Sequence, residues 1–327
     1  MLILTKDDLA RLLQMADVIE AVEQGFHSLS QDKAFAPERL SMAIPASGGV
    51  LLEMPAYATD AAQRTVSGSK IVSVMPRNPQ RGLALVQAVY LLLDGESGVP
   101  LALMEGKAIT AIRTAATSAV ATKYLTGKES RRLVIFGAGI QARFHIEAMQ
   151  QVADLESISI TSRTKEKACL LAEEMSALYH LDCKVLPPEE AVSQANLICT
   201  CTDSASPIIS GKLLQAGCHI NAVGAFTPTT REVDTETVRR ASVFIDAESA
   251  AGRGAGDVLI PLAEGVIAAS HIKGTLADLV SGNVQGRTSA AEITLFKSCG
   301  HAVEDLMTAQ LAYTKALAAG IGAQVDF

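Results

Sequence analysis

The rhythm of apolar and polar positions changes twice along this chain. The opening residues carry helix starts. Thr5-Lys6-Asp7-Asp8 has the form of a capping box, and Asp17 followed by Glu20 gives a second start. Two short helices are therefore predicted. From residue 50 the rhythm shortens to strand-like runs over 50–57, 66–74, 85–93 and 99–104, the last preceded by the turn Asp94-Gly95-Glu96-Ser97-Gly98. Turns rather than helices join these runs, which predicts a largely antiparallel sheet. A helix of small residues, 107–125, leads onward. From Arg131 strands at 133–136, 158–161, 197–200, 220–223 and 243–246 alternate with helices, one from Gln141 and one over 165–179. Strands separated by helices predict a parallel, doubly wound sheet. An Ala- and Leu-rich helix over 302–319 is expected to return to the first domain.

Length and composition bound this picture. A chain of 327 residues exceeds one ordinary core, so two domains, or one inserted in the other, are expected. With 49% hydrophobic and 19% charged residues the chain can bury large cores and is not disordered. A net charge of −7 with both signs interspersed, no Trp and only five Tyr argues against nucleic acid as a partner. The start Met1-Leu2-Ile3-Leu4 meets Lys6, Asp7 and Asp8 at once, and no apolar run reaches membrane-spanning length, so a cytoplasmic protein without a membrane partner is expected. The six cysteines form no Cys-x-x-Cys pair and read as structural thiols, and the six histidines lack ligand spacing, so no metal site is expected.

The strongest local signal is the turn Gly137-Ala138-Gly139-Ile140-Gln141-Ala142, which follows a strand and opens a helix. In that setting Gly137 permits the tight turn, Gly139 lets the backbone approach a pyrophosphate, and Ala142 allows close helix-to-strand packing, with phosphates at the helix N-terminus. An NAD site places an acid at the end of the second strand; this chain has Ser162-Arg163-Thr164, with Lys165 and Lys167 just beyond. A guanidinium with flanking hydroxyls suits a 2′-phosphate, so the sequence points to NADPH. Glu156 precedes that strand, at the wrong end for the ribose.

Two further residues stand out. Lys70, on the strand 66–74, shares its face with Val66, Val72 and Val74. It is either an exposed amine in a misread register or a partly desolvated one with a lowered pKa, suited to proton transfer or to gripping an anion. Arg113 lies mid-helix among Ile109, Thr110, Ala116 and Thr117, with no carboxylate at hand to pair it and room for a guest anion; a solvated helix face is the other reading. Arg39, in Pro37-Glu38-Arg39, has no distinguishing context of its own.

Taken together, Ser69-Lys70-Ile71-Val72, Gly106-Lys107 through Ile112-Arg113-Thr114-Ala115-Ala116, the glycine turn, Asn221-Ala222-Val223-Gly224-Ala225, and Gly286-Arg287-Thr288 running through Glu292 to Ser298 resemble the ornithine cyclodeaminase and mu-crystallin family over almost the whole chain. The resemblance implies an α/β protein with a Rossmann domain, 121–302, inserted in an α+β substrate and dimerisation domain made of 1–120 and 303–327, assembled as a homodimer. It implies that Arg39, Lys70 and Arg113 hold a substrate carboxylate, with Lys70 the catalytic group in proton transfer. It further implies that Gly137, Gly139, Ile140, Gln141 and Ala142 meet the pyrophosphate, Ser162, Arg163 and Thr164 the 2′-phosphate, and Val223 and Gly224 the nicotinamide.

Two positions depart from the family pattern. Phe226 stands where cyclodeaminases carry an Asp for the substrate amine, and Gly254 replaces an acid ahead of Gly256-Asp257. Phe226 either faces the substrate or points into the core, leaving an acid such as Asp257 to serve the amine. The activity implied is NADPH-dependent reduction of a small cyclic imino acid, 1-pyrroline-2-carboxylate or 1-piperideine-2-carboxylate, to L-proline or L-pipecolate. The alternatives are an ornithine cyclodeaminase with bound NAD, an amino-acid dehydrogenase on an open-chain keto acid, and a non-enzymatic NADPH-dependent binding protein.

Overall fold

Both halves of the Thr5 capping box form. The Thr5 hydroxyl accepts from the Asp8 amide at 3.3 Å and Asp8 accepts from the Thr5 amide at 2.9 Å, so α1 (Lys6–Leu12) starts directly behind a short strand, β1 (Leu2–Leu4). The second helix starts earlier and runs longer than its acids indicate. α2 (Met15–Ser30) has Gln14 at its N-cap with no side-chain bond, and Asp17 lies in its first turn. Met15, Val18, Ile19, Val22 and Phe26 form a buried stripe, and docking of that stripe rather than capping sets where the helix begins.

The computed structural model describes residues 1–59, 64–127, 131–248 and 254–326, and the chain divides into two units, Met1–Thr114 with His301–Phe327 and Ala115–Gly300. In the first unit, β2 (Ala34–Phe35), β3 (Leu40–Ile44), β4 (Gly49–Thr59), β5 (Thr65–Val74), β6 (Val86–Asp94) and β7 (Pro100–Glu105) form an antiparallel sheet, which β1 extends by pairing parallel to β7. The strand period sorts its side chains. Met54, Ala56, Val66, Lys70, Val72, Tyr90, Leu92, Ala102 and Met104 face inward and are buried. Phe35, Met42, Tyr57, Ile71 and Val89 are exposed on the opposite side, where Tyr57 is level with Phe35, and Ile71 with Val89. The helix α3 (Gly106–Leu125) then carries the chain onward.

The second unit is built on parallel strands: β8 (Arg132–Phe136), β9 (Ser157–Thr161), β10 (Asp182–Val185), β11 (Leu197–Thr200), β12 (His219–Ala222), β13 (Ala241–Ile245), β14 (Ile272–Thr275) and β15 (Ile293–Lys297). Their order is β10-β9-β8-β11-β12-β15-β13-β14, and every pairing is parallel. Between strands lie α4 (Ile140–Val152), α5 (Lys165–Tyr179), α6 (Pro188–Gln194), α7 (Thr235–Arg240), α8 (Gly256–Ala263) and α9 (Leu276–Ser281). The central strands β11, β12 and β15 are buried at every position, as a sheet covered on both faces requires. The order reverses at β8 and β11, which puts the switch point of the sheet at the end of β8.

The last helix, α10 (Ala302–Ala319), belongs to the first unit. It packs on α2 and on the inner face of β4, β5 and β6, and β16 (Ala323–Gln324) pairs antiparallel to β1. None of the six cysteines forms a disulfide. Among the described residues no helix is long and apolar enough to cross a membrane, and no cluster of His, Cys, Asp or Glu could hold a metal ion.

The close approach of α2 and α10 depends on Gly25, where an added Cβ would sit 2.8 Å from Met307 Cγ and 3.2 Å from Val303 Cγ2. Gly25→Val should destabilise the protein by about 1 to 3 kcal/mol, the range for overpacking a tight core. Urea unfolding of the variant beside wild type measures this, and an unchanged midpoint would contradict the packing account.

Candidate active site

Lys70 lies on the inner face of the first unit's sheet, level with Met54 on β4 and Tyr90 on β6, and only 2% of it is exposed. An ammonium there cannot remain unpaired without a penalty of several kcal/mol. Its Nζ donates to both carboxylate oxygens of Asp305 at 2.8 Å and to the Thr110 hydroxyl at 3.2 Å. Burial pushes its pKa down to about 8, with Asp305 opposing the shift and Arg113 reinforcing it.

Arg113 is also buried, and the structure corrects the sequence reading of its surroundings. No acid lies near it on α3, but α10 brings two: Arg113 Nη1 donates to Glu304 Oε2 at 2.7 Å and Nε to Asp305 Oδ1 at 3.0 Å. Burial acts to lower the guanidinium's pKa, but the charges and hydrogen bonds of Asp305 and Glu304 outweigh it and hold the pKa above its ordinary value. For Asp305, burial acts upward and is overcome by Arg113 and Lys70, which hold the carboxyl below its usual range. Tyr90, buried beside them, has its phenol pushed well up by burial and by Asp305. The four buried groups are thus two cations and two carboxylates whose formal charges cancel. Arg39 enters β3 half-buried.

Sequence reasoning missed Glu304 and Asp305. A signal was present: Asp305 lies on one helical stripe with Ala309, Ala312 and Ala316, all buried, and an acid on an apolar stripe needs a cation opposite. Glu304 has a second task, since its Oε1 accepts from the His301 amide at 2.9 Å in the capping box that starts α10.

In the second unit the glycine turn sits at the switch point. Gly137 has φ +111°, a conformation that disfavours other residues, and a Cβ there would meet the Cys201 carbonyl oxygen at 2.7 Å. Gly139, the N-cap of α4, opens onto space, with no atom within 4 Å of an added Cβ. No side chain caps α4, Ile140 is exposed at its first turn, and Ala142 is buried against the sheet. Gln141 Oε1 is buried without a hydrogen-bond partner. An open cradle at an uncapped helix N-terminus, whose amide N–H groups are unsatisfied, fits the pyrophosphate of a dinucleotide. His145, one turn on, bonds the Gln141 carbonyl at 2.8 Å and the Ser118 hydroxyl at 3.0 Å; burial lowers its pKa to about 4, so it is a neutral brace for this turn.

Ser162, Arg163 and Thr164 follow β9, with Arg163 83% exposed and paired to Asp203 at 2.6 Å. Asp203 lies beyond the end of β11, so the guanidinium reaches past the end of β8 to meet it. That acid was not foreseen from the sequence. Glu156 is at the opposite end of β9, paired with Arg131. Val223 and Gly224 follow β12, held by the Thr200 carbonyl and the Glu232 carboxylate. Phe226 is 51% exposed, which removes the reading that it points into the core. Asp257 is buried and occupied: it accepts from the amides of Glu232 and Val233 and pairs with Lys297 at 3.0 Å. Gly254 is buried, and nothing in the structure accounts for glycine at that place.

The model of the ornithine cyclodeaminase/mu-crystallin family matches residues 1–320. A Delta(1)-pyrroline-2-carboxylate reductase of Bacillus cereus is 36% identical over the full length of both chains. Among solved structures, the Thermococcus litoralis Delta(1)-pyrroline-2-carboxylate reductase in complex with NADH and L-proline superposes with a TM-score of 0.94 at 40% identity, covering 99% of this chain and 100% of that one. An archaeal alanine dehydrogenase dimer with bound NAD follows at 0.93 and 31%, covering 100% and 99%. A match along nearly the whole sequence, joined to the fold it shares, makes this chain a member of the ornithine cyclodeaminase/mu-crystallin family.

Proposed function

We propose that this protein is an NAD(P)H-dependent oxidoreductase acting on a C=N bond, and that it reduces small cyclic imino acids, 1-pyrroline-2-carboxylate to L-proline and 1-piperideine-2-carboxylate to L-pipecolate. The observation that carries the reading is the buried pair Lys70 and Arg113, fixed on Glu304 and Asp305. Its charges suit a substrate that brings one carboxylate and one iminium. The reductase from Thermococcus litoralis, solved with NADH and L-proline, supports the same choice.

When bound, the nicotinamide supplies a hydride to the imine carbon. Lys70, protonated at neutral pH, holds a proton at the imine nitrogen, and an iminium accepts hydride more readily than a neutral imine. Asp305 keeps the ammonium in place through both oxygens. Arg113, its plane fixed from two sides, receives the substrate carboxylate. Because the charges of the buried four cancel, net attraction for that carboxylate calls for a further cation, the role proposed for Arg39. Gly137, Gly139, Ile140, Gln141 and Ala142 would hold the pyrophosphate, with Val223 and Gly224 beside the nicotinamide. Ser162, Arg163 and Thr164 would hold the 2′-phosphate of NADPH, Arg163 exchanging Asp203 for it. In domain terms, the unit containing residues 131–248 binds the cofactor and the other binds substrate. The exposed apolar face of Phe35, Met42, Tyr57, Ile71 and Val89 supports assembly as a homodimer through that sheet.

A cyclodeaminase would need an acid for the second ammonium of ornithine. Phe226 offers none, and Asp257 is already paired. The direct test follows NADPH oxidation with the two cyclic imines and with pyruvate plus ammonia, alongside ammonia release from ornithine. Turnover confined to the imines is expected, and ornithine turnover of similar size would replace this reading with cyclodeamination.

Lys70→Met should lower kcat by about a hundredfold or more, the range for a lost general acid, while NADPH binding persists in a fluorescence titration. Since the lysine must be protonated to act, kcat/KM in wild type should fall as pH rises through about 8. Lys70→Arg should remove that limb from the pH profile, and an unchanged limb would take Lys70 out of the chemistry.

Arg163→Ala should weaken NADPH binding by about 1.5 to 3 kcal/mol, as expected for charge-assisted hydrogen bonds, and leave NADH nearly unaffected. Equal losses for the two cofactors, read by titration, would count against the 2′-phosphate assignment.

A further inference from the structure

The second unit keeps a set of buried charges that the proposed reaction does not use. Glu232, Asp257 and Lys297 are each 0% exposed. Glu232 lies at the carboxyl ends of the parallel strands, where open α/β sheets bind their ligands. One of its oxygens accepts from the Thr202 amide at 2.7 Å and the Thr202 hydroxyl at 2.6 Å. The other accepts from the Thr200 hydroxyl and the Gly224 amide, both at 2.6 Å. The first pair belongs to the loop leaving β11 and Gly224 to the loop leaving β12, so a single carboxylate staples the two loops together.

The staple is itself anchored. Asp257 Oδ1 accepts from the Glu232 amide at 2.7 Å and the Val233 amide at 3.0 Å. Asp257 Oδ2 pairs with Lys297 Nζ at 3.0 Å, and Lys297 donates to the Ala222 carbonyl, the last residue of β12, at 2.9 Å. The chain of contacts therefore leaves the end of β12 and returns to Gly224, two residues beyond it. Gly224 is glycine for the same reason, because a Cβ there would run into the Thr202 carbonyl and the Glu232 carboxylate. Three buried charges are a costly way to close a turn, since each is removed from water.

We infer that Glu232 is a positioning residue for the nicotinamide half of the cofactor site, setting the Val223–Gly224 and Thr202 backbones at the distance the ring requires. The inference rests on the reading that a nicotinamide dinucleotide binds at the Gly137–Gly139 turn. Glu232 touches neither substrate nor cofactor in this role; it acts through the loops it joins. All four of its contacts are donors. An amide in its place would, in either orientation, set its own N–H group against a backbone N–H group, that of Thr202 or that of Gly224, and the loops would move apart.

The test is Glu232→Gln, with adenosine 2′,5′-bisphosphate as a probe of the adenosine half alone. The expected result is a fall in kcat of about 10- to 100-fold, the scale of a misplacement near 1 Å. Affinity for the bisphosphate and KM for 1-pyrroline-2-carboxylate should stay within about twofold. Thr200→Val keeps the shape and removes one donor, and should give the same pattern with a loss of severalfold in kcat; it decides the matter if Glu232→Gln fails to fold. Bisphosphate affinity falling in step with kcat would make Glu232 a general support of the domain and overturn the inference, as would unchanged kcat in the two variants. Wild-type protein that binds neither NADPH nor NADH would instead overturn the cofactor reading, and this inference with it.

Discussion

An ammonium and a guanidinium buried in an apolar layer need carboxylates within hydrogen-bonding distance, and here both carboxylates come from the last helix of the chain. Asp305 is 235 residues from Lys70 and 192 from Arg113. Removing one partner of such a pair typically costs about 3 to 5 kcal/mol, because the other charge is left buried and alone. The return of α10 to the first unit is thus more than a matter of filling space. It holds Lys70 and Arg113 at fixed positions, each bonded to carboxylates of a single helix.

The same economy of position governs the second unit with different materials. Its glycine turn relies on backbone: a glycine at positive φ, an uncapped helix start and an open cradle at Gly139. Buried side chains do the supporting work behind it. His145 braces the first turn of α4, and Glu232 joins the loops after β11 and β12. Arg163, by contrast, stands in solvent with Asp203, where an ion pair contributes little to stability and its partners remain free to exchange. Buried, fully bonded groups therefore hold fixed positions, whereas the pair of Arg163 and Asp203 stands where its partners can change.

The first unit also explains why one strand can carry both a buried lysine and an outward apolar residue. Successive side chains on β5 alternate between faces, so Lys70 joins the covered side while Ile71 joins Val89 on the uncovered one. Buried charge and exposed apolar surface are thereby separated by a single residue step. A slip of one position would exchange them, which ties the register of β5 to the identity of the site.

The sequence by itself determined much of this protein. Local rules were enough for the Thr5 capping box, the strand–turn–helix at Gly137, the helices over 165–179 and 302–319, and the inward face of Lys70, because each depends on a periodicity or a contact a few residues long. Other features depended on partners far away in the chain. α2 begins at Met15 because its buried stripe docks against the rest of the first unit. Arg113 looked unpaired because nothing on α3 pairs it, and Asp203 could be matched to Arg163 only once β9 and β11 were set on either side of β8. Tertiary structure decided these points, since a buried charge takes its meaning from whatever the fold places within about 3 Å of it, and that neighbour's place in the sequence is unconstrained.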